Sequence, residues 1–227
     1  MNNRYLFLKS SLNTIMRSAI GVSIFLQPVV GTADESFDWL AEQCKQKESW
    51  ACNNLGYRYS SERQEYATSY SFFKKACKLG EPMGCFNQGR ALLLGEGVAR
   101  DPAYAFKLMD KSCRDKDEEA CKIQGILYES GQGTAKDLQA ALRLYQRACE
   151  LGSAGGCYNQ GALSYQHPEL PRGKNTPQKS FQKACELKLE QGCKALRNLQ
   201  SAPEQHQFLP DPIDQMYIKL NKREPSS

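Results

Sequence analysis

Histidine is nearly absent from this chain of 227 residues, which contains only His167 and His206. Both lie in segments rich in proline or polar residues, where no rigid helix is predicted to fix an imidazole. A zinc site or a Ser-His-Asp arrangement needs imidazole groups held in place by the fold, so neither is supported. The sequence predicts no metal and no cofactor.

The chain also lacks an apolar run long enough to cross a bilayer, which takes about 20 residues. The apolar run from Ala19 to Val30 is interrupted by polar and proline residues. It follows a basic stretch without acidic residues and precedes the small residues Gly31-Thr32-Ala33. This order is typical of a secretory signal. Residues 1–33 are therefore predicted to be a signal peptide, with Asp34 as the mature start and no membrane span after cleavage.

Two other interpretations of this N-terminal segment stay open. An uncleaved anchor would keep the chain at a membrane. A mitochondrial presequence would direct it to the intermembrane space, because the segment is rich in serine and free of acid. The compact apolar block favours export, so we expect a periplasmic or secreted protein.

A large charge excess is missing as well. Beyond residue 33 the chain has 27 basic and 25 acidic residues, although the whole sequence has a formal charge of +5. Nucleic-acid binding needs a concentrated basic face, and the near balance does not indicate one. We expect no nucleic-acid partner and a monomeric protein.

Cysteine, by contrast, is abundant and regularly placed. All ten cysteines fall into five pairs with seven intervening residues. The pairs are Cys44 with Cys52, Cys77 with Cys85, Cys113 with Cys121, Cys149 with Cys157, and Cys185 with Cys193. From the second pair onward they recur every 36 residues, whereas the first interval is 33. Such self-similarity indicates a repeat architecture.

The cysteine spacing favours structural disulfides over a metal-binding or redox role. Zinc sites usually separate paired cysteines by two to four residues, and redox centres by two. An even cysteine count in an exported chain is typical of disulfides. Connectivity is not strictly determined by a sequence, but pairing within each unit is the only scheme that repeats with the unit, so we expect five disulfides within the pairs.

The residues around each pair predict two helices per repeat. Before the first cysteine, large apolar residues recur at positions −4 and −5 and mostly small ones at −8, which lines one face of a helix. We call this helix B, with Asp101 and Asp137 as predicted N-caps. A shorter helix A is predicted after the second cysteine. In four repeats it carries glycine four residues beyond that cysteine, at Gly56, Gly89, Gly125 and Gly161.

Glycine inside a helix costs roughly 1 kcal/mol relative to alanine, so its recurrence predicts close approach of a neighbouring helix. The turns Gly95–Gly97 and Gly131–Gly133 are predicted to end helix A. The fourth repeat has His167 to Gly173 in their place and is expected to connect irregularly.

Together these patterns predict an all-α, right-curving α/α superhelical solenoid with four helix pairs and a half-unit at each end. The repeat array is placed at residues 34–200. Residues 201–227 are predicted to be a proline-rich linker followed by one short helix, Ile213 to Leu220.

Several segments, including Cys157-Tyr-Asn-Gln-Gly161 and Gly131-Gln-Gly-Thr-Ala-Lys-Asp137, resemble Sel-one-like repeats, relatives of the TPR motif. The cysteine spacing resembles the cysteine-rich subfamily known from Helicobacter secreted proteins, and a mitochondrial intermembrane-space relative shares that layout. The resemblance implies a scaffold whose helix A surfaces line a groove for a peptide or partner protein.

Helix A carries recurrent amides accompanied by tyrosine and arginine, which are common at interfaces. The predicted partner-binding residues are Asn53, Asn54, Tyr57, Arg58, Asn87, Gln88, Arg90, Gln124, Tyr158, Asn159 and Gln160. An alternative is that some of these amides only bridge neighbouring repeats. The predicted function is an exported protein–protein adaptor.

The same resemblance implies a second possibility, because some Helicobacter members carry a β-lactamase designation. Serine acylation of this kind uses Ser-x-x-Lys with further Ser and Lys motifs. Ser71-Phe-Phe-Lys74 and Ser180-Phe-Gln-Lys183 match the first motif, but in different registers. Neither Ser-Asp-Asn nor Lys-Thr-Gly occurs. Weak penicillin binding or β-lactam hydrolysis is therefore the alternative function, and no catalytic residue is predicted.

Overall fold

The computed structural model describes residues 33–171 and 176–201, with side chains from Phe37 onward. Residues 1–32 contain most of the predicted signal peptide, and residues 202–227 contain most of the predicted linker and its short helix. Both segments lie outside the described residues.

Ten α-helices and no strand make up the described part of the chain. They are α1 (Ala33–Lys45), α2 (Ser49–Ser61), α3 (Tyr66–Lys78), α4 (Pro82–Leu94), α5 (Pro102–Arg114), α6 (Glu118–Ser130), α7 (Leu138–Leu151), α8 (Ala154–Gln166), α9 (Pro177–Glu186) and α10 (Glu190–Ser201). Odd-numbered helices are the predicted B helices and even-numbered helices the A helices. The four helix pairs with a half-unit at each end are confirmed.

Side-chain caps define where several helices begin. The Asp101 carboxylate accepts a hydrogen bond from the backbone N–H of Tyr104 at 2.9 Å, and Asp137 accepts one from Ala140 at 2.8 Å. Both predicted N-caps are confirmed. Ser153 caps α8 and Thr176 caps α9 in the same way, although their sequence context did not single them out.

The recurrent glycine of helix A is the contact point with helix B of the same unit. A Cβ at Gly56 would lie 2.8 Å from the ring of Phe73, and one at Gly161 would lie 2.7 Å from Phe181. The large residue four positions before each B-helix cysteine therefore occupies the space that glycine leaves open. The predicted close approach is confirmed.

The two glycines of each Gly-x-Gly turn have different tasks. Gly95 has φ 70° and caps α4 in the left-handed conformation, as predicted. Gly97, with φ 72°, lies against the start of the preceding helix B, since a Cβ there would be 2.1 Å from the carbonyl carbon of Tyr66. The second glycine thus lets the turn touch the previous unit, a contact that the sequence pattern did not predict.

Each cysteine is bonded to the other member of its pair, as expected. The five disulfides join the end of a B helix to the start of the next A helix, with Cα atoms 4.4 to 4.7 Å apart. The bonded pairs are Cys44 with Cys52, Cys77 with Cys85, Cys113 with Cys121, Cys149 with Cys157, and Cys185 with Cys193.

In the chain-entropy model, closing a loop of this size stabilises the fold by roughly 2.6 kcal/mol. All ten cysteines are used in this way, and the described residues hold no free thiol. The disulfides therefore fix the turns at which successive helical hairpins meet.

Candidate partner-binding surface

The three glutamines predicted to bind a partner are buried and pair with adjacent B helices, Gln88 and Gln124 with that of the preceding unit and Gln160 with that of its own unit. Gln88 donates to the Tyr70 hydroxyl at 3.4 Å, and Gln124 donates to the Asp110 carboxylate at 3.1 Å. Gln160 accepts from the Ser180 hydroxyl at 3.2 Å. Their geometry favours the alternative that these amides hold the repeats together.

Two asparagines connect neighbouring A helices. The Asn87 amide donates to the Asn53 side-chain oxygen at 3.0 Å, joining α4 to α2. Asn87 is buried and Asn53 is half-buried. This pair again has a structural task, although Asn53 retains an exposed edge.

The exposed predicted residues concentrate on α2. Asn54 and Tyr57 are exposed, and Tyr57 keeps 59% of its surface accessible. Arg58 forms a 2.7 Å ion pair with Glu62 and stacks over the Phe37 ring at 4.2 Å. The Arg58 hydrogen bond lowers the pKa of the Glu62 carboxyl. Arg58 therefore makes contacts within the chain, whereas Asn54 and Tyr57 face solvent.

Both tryptophans of the chain extend this exposed surface, and sequence reasoning missed them as site residues. Trp39 on α1 is 55% exposed and Trp50 on α2 is 40% exposed. Their ring centroids lie 5.6 Å apart at an interplanar angle of 48°. Exposed paired tryptophans are unusual in a monomer and mark interaction surfaces.

Trp50, Asn54 and Tyr57 occupy positions i, i+4 and i+7 of α2 and therefore form one stripe. We call Trp39 together with this stripe the α1–α2 surface. Trp39 stands five residues before Cys44. The residues at the equivalent position in later units, Phe72, Leu108 and Leu144, are at least partly buried against neighbouring helices. The signal that could have identified Trp39 was its place in the first half-unit, with no earlier repeat in the array to cover it.

The remaining predicted residues lie on later A helices. Tyr158 and Asn159 on α8 are buried, yet the Tyr158 hydroxyl and both polar atoms of the Asn159 side chain have no hydrogen-bond partner among the described residues. Burial raises the pKa of the Tyr158 hydroxyl. The Arg90 Nε atom is likewise buried without a partner in this part of the chain. These groups are too enclosed to join the α1–α2 surface.

The two Ser-x-x-Lys motifs do not share an environment. The Ser71 hydroxyl is exposed and donates to the Thr68 carbonyl oxygen of its own helix at 2.7 Å. The Ser180 hydroxyl is buried and donates to Gln160. Each hydroxyl is engaged as a donor to an oxygen atom, which is not the arrangement of a serine activated by an adjacent base.

Ser180 nevertheless lines a pocket of about 150 Å³ between α7, α8 and α9. Its other lining residues are Gln146, Cys149, Glu150, Gln160, Lys179 and Lys183. The side chains that line the pocket therefore carry charges of both signs.

The described residues contain no group of three or more histidine, cysteine, aspartate or glutamate side chains that could hold a metal ion. In the same part of the chain, no helix is both long and apolar enough to cross a membrane. His167 contacts the Glu169 carboxylate at 3.0 Å on the surface, and His206 lies outside the described residues.

Comparison with known proteins agrees with the repeat architecture. A family model for the Sel1 repeat matches residues 51–81, 82–117 and 125–153. The first two matches cover all or most of one helix A and the helix B that follows it, and the third covers the end of α6 and all of α7. No functionally curated protein matches the chain closely enough to assign it a relative.

Solved structures provide the fold neighbours. A protective antigen of uropathogenic Escherichia coli displaying an SLR fold is 23% identical with a TM-score of 0.67, over 72% of this chain and 36% of that one. The chain thus spans about a third of that antigen. A Sel1 repeat protein from Oxalobacter formigenes is 22% identical with a TM-score of 0.66, over 75% of this chain and 72% of that one.

Helicobacter pylori cysteine rich protein B is 26% identical over 55% of this chain and 91% of that one, with a TM-score of 0.45. The helical pairs, the repeat match and the two structures with TM-scores of 0.67 and 0.66 agree with one another. Three segments between residues 51 and 153 therefore match Sel1 repeats, and the described residues fold as a disulfide-stapled solenoid of helical hairpins like these solved Sel1-repeat structures.

Proposed function

We propose that the protein is an exported protein–protein adaptor that binds a peptide or partner protein along its A helices. Sel1 repeat proteins bind proteins, and a stack of helical hairpins offers an extended surface for such binding. The observation that carries this proposal is the exposed Trp39–Trp50 pair beside Tyr57.

The α1–α2 surface suits a partner segment with apolar side chains flanked by backbone amides. The tryptophan rings offer apolar area at low cost in conformational entropy. Asn54 can donate to and accept from a peptide backbone. Tyr57 adds a ring and a hydroxyl one helical turn further along, so a short extended or helical segment can contact all of them.

The proposed export rests on the disulfides. Five disulfides persist in an oxidising compartment and are rare where thiols are kept reduced. They support an extracytoplasmic adaptor in the periplasm or the medium. The β-lactam alternative gains no support from the environments of Ser71 and Ser180.

Site-specific photocrosslinking of the exported protein tests the adaptor proposal. A benzophenone amino acid at Tyr57 should yield a discrete crosslinked partner, which mass spectrometry identifies. The same group at Arg197, an exposed position of the last described helix α10, serves as the control. Trp50→Ala should abolish the Tyr57 crosslink without changing the helical circular dichroism.

Equal crosslinking from positions 57 and 197, or a crosslink from position 57 that survives Trp50→Ala, would contradict binding at the α1–α2 surface. Recovery of the purified partner in a stoichiometric complex completes the test.

A further inference from the structure

The fourth repeat breaks a packing rule that the earlier repeats obey. Five residues before the B-helix cysteine, units with a preceding neighbour carry Phe72, Leu108 and Leu144. Leu108 is buried, and Phe72 and Leu144 are partly buried against neighbouring helices. The fourth unit has Ser180 at this position, so a large apolar side chain is missing there.

The missing side chain leaves a pocket of about 150 Å³ with a polar floor. Ser180 and Gln160 are each 4% exposed and hydrogen-bond to one another at that floor. Lys179 and Lys183, one helical turn apart on α9, and Glu150 from α7 complete its wall. A small polar side chain that carries a negative charge matches this set of groups.

Basic residues extend from the pocket across the neighbouring B helices. The positions two and six residues before the cysteine are basic in three successive units: Lys107, Lys111, Arg143, Arg147, Lys179 and Lys183. All are exposed except Arg147, which is half-buried and donates to the Arg114 carbonyl oxygen at 3.4 Å. None of the six forms an ion pair with another described residue.

The B helices that follow α1 are more basic than the A helices, whereas α1 itself carries one basic and four acidic residues. Helices α3, α5, α7 and α9 carry ten basic and three acidic residues. Helices α2, α4, α6, α8 and α10 carry five basic and four acidic residues. Although the whole sequence is nearly balanced in charge, the B helices from α3 onward are therefore basic.

We propose that the B helices α5, α7 and α9 form a second binding surface, which takes an acidic peptide segment and anchors one of its carboxylate side chains in the Ser180 pocket. Lys179 and Lys183 bind the carboxylate, and the Ser180 and Gln160 pair lies beneath it. The basic residues of α7 and α5 attract the acidic residues that follow. This surface is separate from the α1–α2 surface and does not depend on it.

A peptide fits this surface better than a nucleic acid does. A phosphodiester backbone carries a charge at every nucleotide and has no N–H donor, so it has no group to place opposite Glu150 in the pocket or Asp110 on α5. Of these three helices only α5 presents an exposed aromatic side chain, Tyr104, whereas binding of a single strand usually stacks several successive bases on rings. A peptide can place carboxylates opposite the lysines and amide N–H groups opposite Glu150.

Fluorescence anisotropy with the mature, oxidised chain tests the proposal. The probe is a fluorescein-labelled peptide of alternating glutamate and serine, compared with its glutamine and serine analogue and with labelled oligothymidylate. The double variant Lys179→Glu with Lys183→Glu should weaken binding of the acidic peptide by about tenfold or more. The matched control, Lys194→Glu with Arg197→Glu, makes the same charge change at exposed positions of α10 and should bind nearly as wild type.

Ser180→Leu distinguishes the contribution of the pocket to binding from that of the positive charges. It places at position 180 the residue that the third unit carries at Leu144, and it leaves the net charge unchanged. We expect it to remain folded and to bind the acidic peptide about tenfold more weakly. Wild-type affinity of Ser180→Leu would overturn the proposal. So would equal losses in the two double variants, or tighter binding of oligothymidylate than of the acidic peptide.

Discussion

Gly125 of α6 lies directly beneath the ring of Tyr145 of α7, so that a Cβ on the glycine would come within 2.6 Å of the tyrosine Cε1 atom. The Tyr145 hydroxyl also donates to the Glu129 carboxylate of α6. The ring is thus fixed at both ends against one helix. The same glycine and large-residue pair recurs in the other units and sets the distance between helix A and helix B.

We expect Gly125→Ala to lower the free energy of unfolding by about 1 to 2 kcal/mol. Overpacking a dense core costs about 1 to 3 kcal/mol, whereas the gain in helix propensity is only about 1 kcal/mol. Urea unfolding followed by circular dichroism measures the difference. A more stable Gly125→Ala protein would mean that the Tyr145 ring moves aside freely.

Gly155→Ala is the control for this substitution. Its new Cβ would meet only the flexible end of the Lys122 side chain, at 3.0 Å. We expect no loss of stability there. Adding Tyr145→Leu to Gly125→Ala should recover part of the loss, because the smaller side chain vacates the overlapping space.

The amide bridge between α2 and α4 predicts a second, smaller effect. Asn87→Ala removes a hydrogen bond between repeats and should cost about 1 kcal/mol. Asn54→Ala, at an exposed position of α2, should leave the unfolding midpoint unchanged. Equal effects from the two substitutions would show that the bridge does not contribute to the stability of the stack.

The Gly-x-Gly turn predicts a larger loss at its second glycine. Gly133 has φ 74°, and a Cβ there would lie 2.2 Å from the carbonyl oxygen of Pro102. Gly133→Ala combines this overlap with the roughly 1 kcal/mol cost of a left-handed alanine. Gly152→Ala incurs only the conformational cost, since nothing lies within 4 Å of its Cβ. The melting temperature of the Gly133→Ala protein should therefore lie well below that of the Gly152→Ala protein.

Purified mature protein should neither hydrolyse nitrocefin nor form a covalent β-lactam adduct. The Ser71 and Ser180 hydroxyls donate to a backbone carbonyl and to Gln160, respectively, so neither is paired with a general base. Absorbance assays and intact-mass spectrometry check both statements. Turnover that Ser180→Ala abolishes would instead make the fourth repeat a catalytic site.

The helix pairs could be predicted from sequence because cysteine, glycine and the large residue at position −4 recur in register. The capping roles of Asp101 and Asp137 followed from local hydrogen-bonding chemistry. A periodic pattern of this kind predicts the contacts within each unit and at its turns, because equivalent side chains meet there in every repeat.

The binding surface could not be predicted in the same way. The recurrence of Gln88, Gln124 and Gln160 suggested an interface, but a residue that recurs in every unit is also the residue that can hold every unit together. Trp39 and Ser180 stand out because they depart from the repeat, and what each departure exposes depends on which neighbours cover it. That information comes only from the packed structure.

Disulfide mapping of the unreduced protein tests the central claim most directly, because the whole stack depends on one cross-link at each turn between a B helix and the next A helix. After alkylation without reduction, proteolysis and mass spectrometry should find no labelled cysteine. Every linked peptide should join the two cysteines of one pair, from Cys44 with Cys52 at the first turn to Cys185 with Cys193 at the last. Labelled thiols, or links between cysteines of different pairs, would contradict this architecture and the surfaces derived from it.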